Sequence, residues 1–429
     1  MQFSALLPEP PSFRADALAS TKWVSAILIG SVVYQALLAL MHTHFYRASS
    51  LAVAAAEFLI YLACLLVLAK RIRLEFVAIV ALVLAYLFLL SIFRNALEFK
   101  GFRDVLIPLL FYWLGRHAAD IGYADRILKI LVGVVLIFGF FELLFLDQYT
   151  RLLDIFSYYV STGTVTIATN FISDSALNLN GLRPEGIGRT IFPALLGNHR
   201  ISSVFLEPVS LGNFAVIVAA WGLAKPGAEY KQMLFFILSA ITLIALSDSR
   251  YGLIVVSALI AMRMAVKGRL NGAVIVLPLV SIMTLVLIGL FFEGNQADNI
   301  MGRLSWTGNA LLRFDLEKIL GIRGFDIPYG DMGYAYLLSR WGVLLCIALW
   351  AALWMAKMPD ERGIRFRAYA AMYVSLILTV SGTSFFALKT AALLWFLMGS
   401  CTYPNARRTA LSHAAVPHDI SGRELKYAH

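Results

Sequence analysis

The chain has 429 residues, of which 60% are hydrophobic and 14% charged, with a formal net charge of +10. This balance excludes a soluble globular protein. It also excludes reading the charge as affinity for nucleic acid, because in a membrane protein Lys and Arg first report topology. A helix needs about 20 apolar residues to cross hydrocarbon, so the long apolar runs predict an all-α polytopic membrane protein.

Residues 1–22 read as a polar cytoplasmic tail, with Arg14 and Lys22 just ahead of the first apolar run. That run shows no convincing cleavage site and is expected to be a retained anchor. About twelve spans follow, at roughly 23–41, 51–69, 74–93, 104–119, 127–146, 205–223, 233–247, 249–264, 272–292, 331–356, 368–386 and 388–402. They define an N-terminal bundle of about five spans over residues 23–146, central spans over 205–292 and C-terminal spans over 331–402. Residues 403–429 form a second cytoplasmic tail, expected to be disordered after Pro404.

Short basic loops fix the orientation. Lys70, Arg71, Arg73, Arg126, Lys129, Lys225, Lys231, Arg263, Lys267, Arg269, Lys357, Arg362, Arg365, Arg367, Arg407 and Arg408 all fall on the side of the N-terminus. By the positive-inside rule both termini are cytoplasmic. Two large loops, 147–204 and 293–330, are then external, and loops of that length usually carry function. Each is expected to hold a short amphipathic helix: Arg151–Val160, with Leu152, Ile155, Phe156 and Tyr159 on one face, and Arg303–Leu320. Cys64, Cys346 and Cys401 lie in or at the end of apolar runs and offer no disulfide or metal-ligand spacing.

Basic residues accumulate where the orientation rule should deplete them. Arg183, Arg189 and Arg200 lie in the first external loop; Arg303, Arg313, Lys318 and Arg323 lie in the second. Arg250 sits in the short external turn Ser247–Arg250, where retaining a cation points to a bound anion. Arginine suits phosphate because its planar fork donates two parallel charge-assisted hydrogen bonds. A ligand at the outer membrane boundary with an apolar and a dianionic part is a lipid (pyro)phosphate. Within the spans, Glu57, Glu75, Glu142 and Arg340 each cost on the order of 3 kcal/mol unless shielded. Arg340 is therefore expected to pair with one of those glutamates.

The stretch 198–213 joins a polar loop to an apolar helix. Pro208 is placed as the first helical residue and Glu207 at or just before the helix start.

The order of these residues resembles the Wzy-type polysaccharide polymerases and the related O-antigen ligases. It rests on Arg200 through Glu207–Pro208 to Gly212, on Ser249, Arg250 and Gly252, and on Gly302, Arg303, Trp306, Gly321 and Gly324, spanning roughly residues 200 to 345. The ligases place a histidine eleven residues before a glycine; here Asp331 stands eleven before Gly342, which favours the polymerase branch, closest to xanthan-like exopolysaccharide polymerases. The resemblance implies a GT-C-like fold with periplasmic loops in the bacterial inner membrane. It implies block transfer of glycan between undecaprenyl-pyrophosphate-linked oligosaccharides, among membrane lipids, with a chain-length-control or export protein as a further partner. For that transfer Glu207 is the first choice of general base, Asp331 the second and His199 the third. Arg200, Arg250 and Arg303 are expected to bind the pyrophosphate, with Arg313 or Arg323 contributing. Tyr158, Tyr159, Trp306, Tyr334 and Tyr336 are candidates to stack on sugar faces, and no metal or cofactor is implied. A lipid-linked oligosaccharide flippase or other polysaccharide transporter is the alternative, although the sequence shows no internal repeat.

Overall fold

The computed structural model describes residues 11–69, 72, 74–118, 120–165, 192, 196–197, 199–265, 272–292, 300–323 and 329–402. Outside them lie Lys70, Arg71, Arg73, Arg183, Arg189, Asn198, Lys267, Arg269, Gly324, Arg407 and Arg408, together with residues 1–10 and 403–429; residues 11–22 of the expected N-terminal tail instead begin the first helix.

The described residues form helices and no sheet. Five come first: α1 Pro11–His44, α2 Ser50–Leu68, α3 Leu74–Phe93, α4 Phe99–Ala118 and α5 Ile121–Leu144. Two short ones follow, α6 Leu146–Leu152 and α7 Ile155–Ser161. The centre is α8 Pro208–Ala224, α9 Tyr230–Ser247, α10 Arg250–Ala265 and α11 Leu277–Phe291. The chain continues through α12 Ile300–Leu312, α13 Leu316–Ile319, α14 Gly333–Met355, α15 Glu361–Ile377 and α16 Leu388–Ser400. Each of the apolar segments contributes a helix. Seven helical stretches are long and apolar enough to cross a membrane: Thr21–His44, Ser50–Leu68, Leu74–Phe93, Ile121–Leu144, Gly227–Ser247, Ala273–Phe291 and Gly333–Met355. The chain is thus a multi-pass membrane protein by length and composition.

The helix at the centre is α8. Every one of its residues except Val209 is buried, as expected of a helix that is apolar on all sides. By contrast α2, α3 and α11 turn Phe58, Leu66, Leu82, Phe88, Leu279 and Met283 outward, a surface suited to lipid chains. At the C-terminal end of α8, Asp125 of α5 accepts from Lys225 Nζ at 2.7 Å, Trp221 Nε1 at 2.7 Å and both terminal nitrogens of Arg362 at 2.7 and 3.2 Å. Lys225 also reaches Glu229 and Gln232, each at 2.9 Å. This buried cluster ties α5, α8, α9 and α15 together at the end away from Glu207.

Four expectations are corrected. Arg151–Val160 is not one interfacial helix: the backbone breaks at Leu153, and Asp154 caps α7 by accepting the Ser157 N–H at 2.9 Å. Ile155, Tyr158 and Tyr159 then turn inward and are buried. Arg303–Leu320 breaks in the same way, because Asp315 accepts the Lys318 N–H at 2.8 Å and starts α13 anew. The apolar run 368–386 is helical only to Ile377; residues 378–387 form a connection containing a short 3-10 turn, Thr383–Phe386. Finally, Arg340 pairs with Glu98 and stacks on Tyr336 at 4.4 Å. Glu57 instead takes the Tyr34 hydroxyl at 2.8 Å and Arg103 at 3.5 Å, Glu142 takes His199, and Glu75 is exposed in the first turn of α3.

Candidate functional site

The segment leading into α8 is clamped on both sides. His199 Nε2 lies 2.9 Å from Glu142 Oε1, while Glu142 Oε2 accepts the N–H groups of Ser202 and Ser203 at 2.9 and 2.6 Å. Three donors thereby offset the desolvation of a fully buried carboxyl. The other ring nitrogen of His199 is buried and unbonded among the described residues, so His199 acts here as an anchor. Next along the chain, Arg200 Nε donates to Ser247 O at 3.0 Å and Ile201 N to Leu246 O at 3.0 Å. A guanidinium on the last carbonyls of α9 also opposes the negative end of that helix's dipole.

That contact sets the turn carrying Arg250. Asp248 adopts φ +48° to end α9, and Ser249 Oγ accepts the Gly252 N–H at 3.0 Å to begin α10. Arg250 is the first residue of α10 and is exposed. Gly212 permits α8 to approach this turn, since a Cβ there would lie 2.7 Å from Ser249 Cβ.

Glu207 occupies the N-cap position of α8 and Pro208 its first helical position, but the Glu207 side chain makes no capping hydrogen bond. Its Oε2 instead accepts from Ser210 Oγ at 3.0 Å and Lys389 Nζ at 3.1 Å. Lys389, in the first turn of α16, gives its other protons to Gln35 Oε1 at 2.9 Å and Phe205 O at 2.8 Å. The Tyr159 hydroxyl faces the same carboxylate. Leu206, just before Glu207, is held at φ +59°, a left-handed conformation that costs a bulky residue on the order of 1 kcal/mol. Of the four non-glycine residues with positive φ among the described residues, Ser203, Leu206 and Asp248 all border this site. Such strain persists only where surrounding bonds over-determine the backbone.

The connection 378–387 joins the remaining pieces. Gly330 O accepts the N–H groups of Gly382 and Thr383 at 3.0 and 3.1 Å, and Tyr334 N donates to Leu378 O at 2.8 Å. Thr307 of α12 donates its hydroxyl to Arg303 O at 3.0 Å and Thr379 O at 3.1 Å. The Tyr251 hydroxyl, next to Arg250, lies beside Thr379. Helix α12 is held by close backbone contact with α11, where a Cβ on Gly308 would lie 2.8 Å from Gly289 N. The segments bearing Arg250, Arg303 and Asp331 therefore meet one connection, Glu207 meets Lys389 just beyond its end, and Arg200 holds the α9–α10 turn. Asp331 itself is exposed in the turn before α14.

Other expected residues lie elsewhere. Arg313 is exposed beyond the far end of α12, and Arg323 forms an exposed pair with Asp315 at 3.0 Å. Tyr334 is buried with its hydroxyl on Ser375 O at 2.9 Å, so it packs the interior and offers no face to a sugar. Tyr158, Tyr159 and Tyr336 are buried likewise, whereas Trp306 is 36% exposed. Lys389 is the residue that sequence reasoning overlooked; a lysine inside the last apolar run was a legible signal, but its partner was not. No family model, no curated protein and no solved structure matches the chain.

Proposed function

We propose that the chain is a membrane glycosyltransferase that joins undecaprenyl-pyrophosphate-linked oligosaccharide repeat units into exopolysaccharide. In this reading the twelve apolar helices all cross or enter the bacterial inner membrane. Both termini are cytoplasmic, and the ends of α8, α10, α12 and α14 near residue 380 face the periplasm. The observation that carries it is that the Glu207 carboxylate meets Lys389 in the first turn of α16, while the connection leading into that helix is met by Thr307, four residues after Arg303, by Tyr251, next to Arg250, and by Gly330, next to Asp331.

The chemistry needs little more. An acceptor sugar hydroxyl attacks the anomeric carbon of the growing chain, forming a new C–O bond as the bond to the lipid pyrophosphate breaks. The hydroxyl proton passes to Glu207 as general base. The electron pair leaves with the pyrophosphate, whose charge fixed arginines stabilise in a partly water-excluded site. Asp331 is the second candidate for the base, and Trp306, part of whose side chain is exposed, would stack on a sugar.

A flippase for the same lipid is the second reading, favoured by the break in α14 at Gly342, since transporters use interrupted helices. Purified protein in liposomes supplied with lipid-linked oligosaccharide separates the two. Lengthened lipid-linked glycan supports the polymerase, and movement of unaltered substrate between leaflets supports the flippase.

A further inference from the structure

We infer that Lys389 is the positioning residue for Glu207, holding its carboxylate ionised and aimed so that the oxygen it leaves unbridged can take the acceptor proton. This rests on the polymerase reading, and it concerns a side chain to which that reading gives no part.

The case is geometric. Lys389 is only 3% exposed and stands in the first turn of α16, yet all three of its ammonium protons are committed: to Gln35 on α1, to Phe205 O, and to Glu207. A lysine so buried costs several kcal/mol unless it is paired. Two neutral acceptors and one carboxylate are the minimum that satisfies it. The bond to Phe205 O grips the chain two residues before Glu207, where Leu206 is strained. Lys389 thus fixes both the backbone that presents Glu207 and the carboxylate itself. Ser210 and Lys389 both donate to Oε2, and the Tyr159 hydroxyl also faces the carboxylate. Among the described residues, the groups facing Glu207 from the packed elements are Lys389 on α16, Tyr158 and Tyr159 on α7 and Ser210 on α8. Lys389 is the cation among them, so it governs when the carboxyl is ionised.

The test compares the wild type with Lys389→Met and Lys389→Arg, in liposomes with lipid-linked oligosaccharide, by initial rate against pH. A hydrophobic carbodiimide, which modifies protonated carboxyls, is read at Glu207 by mass spectrometry over the same pH range without substrate. Losing the cation should cut kcat about a hundredfold with little change in KM. It should also move the acid limb, and the pH at which labelling fades, upward by about one to three units. Lys389→Arg should return both limbs toward wild type. If Lys389→Met does not fold, Lys389→Gln keeps a donor and removes the charge. Labelling and acid limb unchanged in the charge-removing variant overturn the inference, even if activity falls, because a structural role alone would give that result. A wild type that lengthens no glycan overturns the functional reading instead, while the labelling shift still reports the Lys389–Glu207 coupling.

Discussion

The backbones of Gly321 and Gly342 touch: a Cβ on Gly321 would lie 2.8 Å from Gly342 N. Gly321 has φ +73° and Gly342 φ +69°, and the latter breaks α14 into two half-helices. The break strands the carbonyls of Ser339 and Arg340, which Arg94 takes at 2.9 and 2.8 Å while its Nε holds Gly321 O at 2.7 Å. Arg94 thereby does for an internal helix end what a C-cap does at a terminus. Gly342→Ala should lower stability by about 2 kcal/mol from the strained φ alone, and more from contact with Leu320 O. Thermal unfolding in detergent checks this, and an unchanged Tm would refute the strain argument.

The Asp125 cluster predicts a large stability effect far from the candidate site. Asp125→Ala leaves Lys225 and Arg362 buried without their shared carboxylate. Breaking such a pair from one side costs about 3–5 kcal/mol. A substantially lowered Tm is expected, with surviving folded protein retaining its catalytic pH profile.

Glu207→Gln keeps the shape of the side chain and removes the proposed base. Polymer should disappear while protein amount and lipid-linked repeat unit stay normal. Polymer of ordinary length from this variant would eliminate Glu207 as the base and leave Asp331.

Arg250 is exposed at the start of α10, so its replacement should not disturb packing. Arg250→Lys retains the charge but loses the fork, and turnover should fall on the order of a hundredfold, as for loss of one preorganised donor. Wild-type turnover would mean that Arg250 meets only lipid headgroups.

Asp315 gives a pH prediction outside the membrane-crossing helices. The Lys318 N–H, then the Arg323 guanidinium, holds its carboxyl below the usual carboxylate range. A depressed folded pKa contributes stability that is present above the ordinary value near 3.9, and that is lost as pH falls through the folded value. Hydrogen exchange at Lys318, corrected for intrinsic rate, should accelerate below that range. Asp315→Asn should flatten the dependence.

The membrane class, the positions of the helices and the start of α8 at Glu207–Pro208 follow from sequence, because apolar length and local capping chemistry are properties of neighbouring residues. The same local logic explains the interrupted segments: Asp154 and Asp315 are helix-starting residues, and each cuts across the apolar periodicity of its segment. Tertiary structure alone decided the pairings. Arg340 could have met any of several glutamates, yet it lies beside Glu98, 242 positions away in sequence order; Lys389 meets Glu207 at a separation of 182. In a low-dielectric interior every buried charge must find a partner, which guarantees that a partner exists. Which one it is depends on helix packing, and packing is set by contacts such as Gly212 against Ser249 that no local pattern encodes.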